Sequence, residues 1–236
     1  MGRIIILHLS MFYLADAGAA DISLLNGREI LSHCVIAGQL APMPWGVKVT
    51  TGDASAIACR AFLGAVNDTH SFLVGSASIA PRYCLPPRVS MDSFAVMLEQ
   101  RSQTIPPADE SAGKYILDAY ESEFSCAEGT KAGMNAFSMT GKALLEACLP
   151  LVDMNIDIHD LTTHGERNLC LGYIAGAIDS HAELQSEPAW CLAENHTDVG
   201  GMVNAVTRYL ESHAEAHADN AAAAIQTALA ETFPCE

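Results

Sequence analysis

Two stretches of the sequence repeat one pattern: ACRAFLGAVNDTHSFLV at residues 58–74 and LCLGYIAGAIDSHAEL at residues 169–184. Each has a cysteine at its second position, continues with apolar and small residues, and reaches an Asp-x-His triplet. The apolar residues recur at helical spacing, which predicts a helix in each stretch. The agreement in order and chemistry indicates that one structural unit occurs twice.

The repeat extends outward from these helices. LNGREILSHC at residues 25–34 matches MTGKALLEAC at residues 139–148, and YCLP at residue 83 matches WCLA at residue 190. The segment SEFSC, which ends the first half, likewise matches ETFPC near the end of the chain. Repeated motifs in the same order predict two copies of one domain of roughly 100 residues.

Each copy is predicted to contain four helices, because alternating β-type runs are scarce. The helical patterns of the first copy start at residues 27, 59, 91 and 112, and those of the second at residues 141, 170, 199 and 221. Ser90 and Thr197 are the residue types expected at the N-caps of the third helices. The predicted fold class is all-α, with two tandem four-helix domains at residues 21–127 and 133–236, each expected to fold alone when oxidised.

The N-terminus has the pattern of a secretion signal. Arg3 precedes the mainly apolar run Ile4–Leu14, and small residues follow with A-x-A at Ala15–Ala17. The run is too short to span a bilayer, and a buried N-terminal helix is the alternative. We therefore predict a signal peptide at residues 1–20 and a periplasmic mature protein.

Eight cysteines, four in each copy, form an even set that predicts disulfides in an oxidising compartment. They are Cys34, Cys59, Cys84, Cys126, Cys148, Cys170, Cys191 and Cys235. A helix of about 15 residues, about 22 Å long, separates the second cysteine of each copy from the third, whereas a disulfide needs Cα atoms within about 7 Å. Pairing first to second and third to fourth is therefore favoured, with first to fourth as the main alternative.

The charge balance limits the class of partner. The chain has 28 acidic and 12 basic residues and a formal net charge of −16. Nucleic-acid binding needs clustered Lys and Arg and is therefore disfavoured. A basic protein partner fits the excess negative charge, which would also accelerate association.

Candidate catalytic and metal-binding residues are few. Asp68 and His70, like Asp179 and His181, lie two positions apart and so face different sides of a helix, which favours capping or packing over catalysis. DIHDLTTHGE at residues 157–166 gathers possible metal ligands but has no counterpart in the first copy, so a polar loop is favoured.

His213 and His217 are spaced i,i+4, but they lie near a predicted helix end, where a solvated turn is expected. The common hydrolase and nucleotide-binding strings are absent from the sequence. We therefore expect no catalytic residue, no cofactor and no metal site.

The second copy resembles the Rap/Tai immunity-protein domain, which is associated with type VI secretion and neighbours the HdeA-like periplasmic proteins. The strings that carry the resemblance are CLGYIAGAIDS, WCLAENHT, VNAVTRYLESHAE and AAAAIQTALAETFPC within residues 138–235. Residues 24–126 resemble the domain more loosely, with CRAFLGAVND and SEFSC at the corresponding places.

The resemblance implies a small helical protein, not an enzyme, that binds a secreted peptidoglycan amidase effector and blocks its active site. Two copies in one chain imply an intramolecular pseudo-dimer with a composite acidic surface, and the loops after the second helices, residues 71–89 and 182–197, are expected to differ in role. The alternatives are an acid-stress chaperone of the HdeA type, whose carboxylates and histidines would titrate, and an enzyme, which the missing site disfavours.

Overall fold

The computed structural model describes residues 24–40, 54–86, 89–107, 109–127, 139–152, 165–185, 190–191 and 199–235. The predicted signal peptide and the predicted N-cap Thr197 lie outside these ranges, as do residues 157–164 of the candidate metal segment. Within the described ranges, no helix has the length and apolar content needed to cross a bilayer.

The prediction of an all-α fold is confirmed. The helices are α1 (Gly27–Leu40), α2 (Ala54–Gly75), α3 (Met91–Ser102), α4 (Ala112–Glu123), α5 (Gly141–Cys148), α6 (Gly165–Leu184), α7 (Val199–Ser212) and α8 (Ala221–Thr232). Short 3-10 turns follow α5 and α7, and the described part of the chain contains isolated β-bridges but no strand.

Local chemistry sets several helix ends. Ser90 is the N-cap of α3 as predicted, since its side chain accepts a hydrogen bond from the Ser93 N–H. Thr140 caps α5 in the same way. The α5 helix ends at Cys148, where Pro150 belongs to a 3-10 turn, whereas α1 continues to Leu40.

The two halves contain equivalent backbone hydrogen bonds. The Gly27 N–H donates to the carbonyl of Glu110 at 2.9 Å, and the Gly141 N–H donates to the carbonyl of Asp219 at 3.0 Å. In each half this bond joins the start of the first helix to the residue two positions before the fourth helix. The halves therefore share local geometry as well as sequence pattern.

Four disulfides cross-link the chain, two within each half: Cys34–Cys59, Cys84–Cys126, Cys148–Cys170 and Cys191–Cys235. Their Cα–Cα distances are 4.8–5.1 Å, within the usual range. These are the pairs that the helix geometry favours, and each joins cysteines of the same half.

Helices α2 and α6 make the most extensive helix–helix contact among the described elements, and they belong to different halves. Gly172 and Gly176 permit this close approach, because a Cβ on either glycine would lie 2.5 Å from a backbone oxygen of α2, that of Ala58 or Phe62. The buried apolar residues of both halves form one continuous cluster. One core is therefore shared by both halves.

Candidate protein-interaction site

Asp68 lies at the contact between the two halves. Its Oδ2 atom accepts hydrogen bonds from the Met139 N–H at 2.9 Å and from the Tyr173 hydroxyl at 2.6 Å. Both donors belong to the second half. Burial raises the pKa of Asp68 to about 6, against the opposing effect of these two hydrogen bonds.

Asp179 makes the reciprocal contact. Its Oδ1 atom accepts from the Leu24 N–H at 2.8 Å, and its Oδ2 atom accepts from the Leu25 N–H at 3.3 Å. Each aspartate therefore binds the backbone that precedes the first helix of the opposite half. The predicted capping or packing role fits these contacts, although sequence reasoning did not identify the exchange between halves.

The two equivalent histidines are buried and pack against aromatic rings. His70 stacks on Tyr83 with ring centroids 4.0 Å apart, and its Nε2 atom accepts a hydrogen bond from the Arg82 N–H at 3.0 Å. His181 stacks on Trp190 at 5.6 Å, and neither of its ring nitrogens has a hydrogen-bond partner among the described residues.

Burial lowers the pKa of both His70 and His181 to about 4, with the nearby Arg82 charge adding to the effect at His70. Both rings are therefore neutral near pH 7. In the described part of the chain, neither histidine is hydrogen-bonded to the aspartate of its own triplet. The two side chains of each triplet therefore have different contacts. The aspartate binds the opposite half, and the histidine packs against the aromatic residue that follows its own helix.

His213 and His217 lie at the end of α7 and in the following 3-10 turn, as the sequence predicts. One ring nitrogen of each histidine contacts a backbone carbonyl. Nδ1 of His213 lies 2.9 Å from the carbonyl oxygen of Tyr209, and Nε2 of His217 lies 2.8 Å from that of Leu210. Among the described residues, no group of three or more potential ligands could hold a metal ion.

The segment after α2 forms an exposed loop, here called the first-half loop and defined as residues 75–82. Its tip residues Ser76, Ala77 and Ser78 are exposed, and so are Ala80 and Pro81. Ala77 has a φ of 57°, in the left-handed region that non-glycine residues seldom adopt. The loop therefore projects small side chains from a fixed and uncommon backbone conformation.

The second half has a groove of about 510 Å³ between α7 and α8. Its lining includes Gly201, Asn204, Arg208, Tyr209 and Glu231.

In the first half, a hydrogen bond from Arg101 to the Ser122 hydroxyl at 2.7 Å bridges α3 and α4, the counterparts of α7 and α8. Counted from the first residues of the helices, Tyr209 and Glu231 occupy these positions in the second half, so the two halves have different surfaces there.

Most basic side chains in the described part of the chain pair with carboxylates. The ion pairs are Arg28–Asp109, Arg60–Asp92, Arg82–Glu121, Lys114–Glu110, Lys114–Asp118 and Lys142–Glu146. Such pairs leave the excess carboxylates to determine the sign of the surface potential, and they contribute little stability individually.

Residues 140–235 match a family model described as Rap1a immunity proteins. The match covers α5–α8 and the two disulfides of the second half, and it supports the Rap/Tai-type resemblance there. Searches of curated proteins and of solved structures found no match.

The family match and the four disulfides favour a location outside the cytoplasm.

Proposed function

We propose that this protein is a periplasmic immunity protein that binds a secreted peptidoglycan amidase of a type VI secretion system and blocks its active site. The match of residues 140–235 to the Rap1a immunity proteins carries the proposal. In this view residues 24–126 are the divergent first copy of the same domain. The equivalent backbone hydrogen bonds and disulfides of the two halves support this interpretation.

The two copies act as one covalent pseudo-dimer. Asp68 and Asp179 each bind backbone of the opposite half, and α2 packs on α6, so the relative orientation of the copies is fixed. A rigid arrangement reduces the entropy lost on binding a partner. The net charge of −16 then attracts a basic partner and accelerates encounter.

A co-expression assay tests the immunity function. Each secreted cell-wall hydrolase encoded near this gene is directed to the periplasm of a laboratory bacterium, with and without this protein. We expect one hydrolase to cause lysis alone and to be harmless in the presence of this protein. The purified pair should form a complex whose association slows as salt is added, because the Debye length falls from about 10 Å at 0.1 M to about 3 Å at 1 M.

A version of this protein without its N-terminal residues, retained in the cytoplasm, is the control and should fail to protect. Lysis by every such hydrolase in the presence of the exported protein would contradict the proposal.

A second candidate, an acid-stress chaperone, is favoured by one observation. Burial lowers the pKa of both His70 and His181 to about 4, so acid drives their protonation and loosens the packing around them. Suppression of aggregation of an unrelated periplasmic protein at pH 3, but not at pH 7, would support it. The four disulfides restrict such loosening, and for this reason the immunity function ranks first.

A further inference from the structure

We propose that the groove between α7 and α8 of the second half binds an arginine side chain of the partner protein. This inference rests on the proposed function and deepens it, because it names one contact surface and the chemistry of the partner residue that fits it. The groove is lined by residues within the segment that matches the immunity-protein family. The equivalent place in the first half contains an arginine side chain of the chain itself.

Arg101 is that side chain. Its guanidinium, on α3, donates a hydrogen bond to the Ser122 hydroxyl on α4 at 2.7 Å. Arg101 is half-buried, and its side chain bridges the two helices. The crossing of α3 and α4 therefore accommodates a guanidinium that binds an oxygen acceptor on the second helix of the pair.

The burial pattern supports the equivalence of the two places. Counted from the first residue of each helix, the first, fourth, fifth and eighth positions are buried in α3 and α7 alike, and also in α4 and α8. The helices therefore present matching positions to the core. The same count assigns Tyr209 to the position of Arg101, and Glu231 to the position of Ser122.

The second half lacks the guanidinium but has a stronger acceptor for one. Glu231 replaces the Ser122 hydroxyl with an exposed carboxylate, which forms no ion pair with any other described residue. A carboxylate binds a guanidinium through two parallel hydrogen bonds, and such charge-assisted bonds are stronger than those to a neutral hydroxyl. Glu231 therefore offers an external arginine a better partner than Arg101 has in the first half.

Tyr209 supplies an aromatic ring in the same groove. It is half-buried, and its ring stacks on His213 with centroids 4.3 Å apart. This contact holds the orientation of the tyrosine ring. The planar guanidinium of arginine stacks on aromatic rings and binds carboxylates in a fixed geometry, whereas the ammonium of lysine is a compact point charge. A tyrosine and a glutamate lining one groove therefore favour arginine over lysine.

The charge of the molecule favours a cationic occupant, whereas Arg208 opposes it. The formal net charge of −16 attracts basic groups of a partner. Arg208 is exposed and lines the groove, and its counterpart by position in the first half is the uncharged Gln100. Arg208 therefore reduces the affinity for a cation, and its replacement distinguishes a cationic occupant from an anionic one.

Three substitutions that install the first-half residue test the inference. Glu231→Ser removes the carboxylate, Tyr209→Arg supplies a guanidinium that competes for Glu231, and Arg208→Gln removes the opposing charge. The probe is the purified hydrolase that the co-expression assay identifies, titrated with the full-length oxidised protein. We expect Glu231→Ser and Tyr209→Arg each to weaken binding at least about tenfold. Arg208→Gln should tighten binding about threefold, because a like charge is removed.

Glu123→Ser is the matched control for the loss of one negative charge. Glu123 is an exposed glutamate at the end of α4, so its replacement changes the net charge as Glu231→Ser does. We expect Glu123→Ser to leave the dissociation rate unchanged, whereas Glu231→Ser should raise it. Unchanged unfolding temperatures would show that the variants do not act through misfolding. If Tyr209→Arg is destabilised, the two substitutions at the exposed positions Glu231 and Arg208 carry the test.

The possible results separate the inference from the immunity function. Binding of the hydrolase by Glu231→Ser and Arg208→Gln as tight as that by the unsubstituted protein would overturn the groove assignment while leaving the immunity function intact. Weaker binding by Arg208→Gln would identify an acidic occupant and would also overturn the inference. Failure of the unsubstituted protein to bind any such hydrolase would overturn both.

Discussion

At the residue scale, the two buried histidines differ in one useful respect. His70 accepts a hydrogen bond from the Arg82 N–H, whereas neither ring nitrogen of His181 has a partner in the part of the chain that the structure describes. Burial lowers the pKa of each to about 4. The two equivalent histidines therefore have the same lowered pKa but differ in their hydrogen bonds.

We predict that the free energy of unfolding decreases as the pH falls from about 6.5 to 4. In this window the unfolded chain protonates both histidines while the folded chain does not, so the unfolded state binds more protons and gains stability. The free energy of unfolding falls by up to about 3 kcal/mol for each histidine. Asp68 opposes it, because its raised folded pKa of about 6 makes the folded state bind a proton first. Urea unfolding at pH 7 and pH 4.5 measures the net effect.

Substitution by phenylalanine separates the two histidines. His181→Phe should flatten the pH dependence with little change at pH 7, because it removes a titrating ring and leaves no donor unpaired. His70→Phe should flatten the dependence equally but cost about 0.5–1.5 kcal/mol at pH 7, because the partly buried Arg82 N–H loses its acceptor. Equal stability of the two variants at pH 7 would show that this hydrogen bond has no net value.

At the element scale, the end of α2 and its contact with α6 show how backbone geometry constrains sequence. Ala77 occupies a left-handed position where glycine is the residue with least strain. Gly176 occupies a position where a Cβ would lie 2.5 Å from the Phe62 carbonyl oxygen. The first site accepts glycine readily, whereas a side chain at the second would force α2 and α6 to shift.

We expect Ala77→Gly to raise the free energy of unfolding by up to about 1 kcal/mol, because it relieves a strained φ at an exposed site, although the added freedom of the unfolded chain offsets part of the gain. Thermal unfolding of the oxidised protein measures the change. Ala218→Gly, at another exposed alanine, is the control and should not stabilise. A destabilised Ala77→Gly would mean that the left-handed conformation carries no strain here.

Gly176→Ala should destabilise the protein by about 2 kcal/mol or more, because the new methyl group forces α2 and α6 apart. Gly64→Ala is the matched control on the facing helix, where a Cβ would meet no atom within 4 Å. It should be neutral or stabilising by about 0.5–1 kcal/mol, since alanine has the higher helix propensity. Denaturant unfolding measures the free energy of unfolding of both variants. A Gly176→Ala variant as stable as Gly64→Ala would indicate that α2 and α6 can move apart without cost.

At the scale of the whole molecule, the two halves contact each other across a common core. The α2–α6 contact crosses between them, and Asp68 and Asp179 are each satisfied by backbone of the opposite half. A separated half would expose its share of the common core and leave its aspartate without these donors. The expectation from sequence that each half folds alone is therefore replaced by the opposite prediction.

We predict that residues 21–132 and 133–236, expressed separately, self-associate or remain partly unfolded even when oxidised. Co-expression should restore a one-to-one complex with an unfolding temperature near that of the intact chain. Size-exclusion chromatography and circular dichroism distinguish these outcomes. Two monomeric, cooperatively unfolding halves would contradict the prediction and support independent domains.

The sequence alone predicts the helices and favours the observed cysteine pairs, because these depend on local periodicity and on short spans of chain. The N-cap Ser90 and the pairs Cys34–Cys59 and Cys84–Cys126 follow from such local rules.

Only the tertiary structure decides what Asp68 and Asp179 bind, because their partners lie 71 or more positions away and meet them through the packing of α2 on α6. It also decides the left-handed conformation of Ala77, which the sequence conceals because glycine is the residue expected there. Long-range packing thus makes the aspartate of each Asp-x-His triplet a contact between the halves, while the histidine packs within its own half.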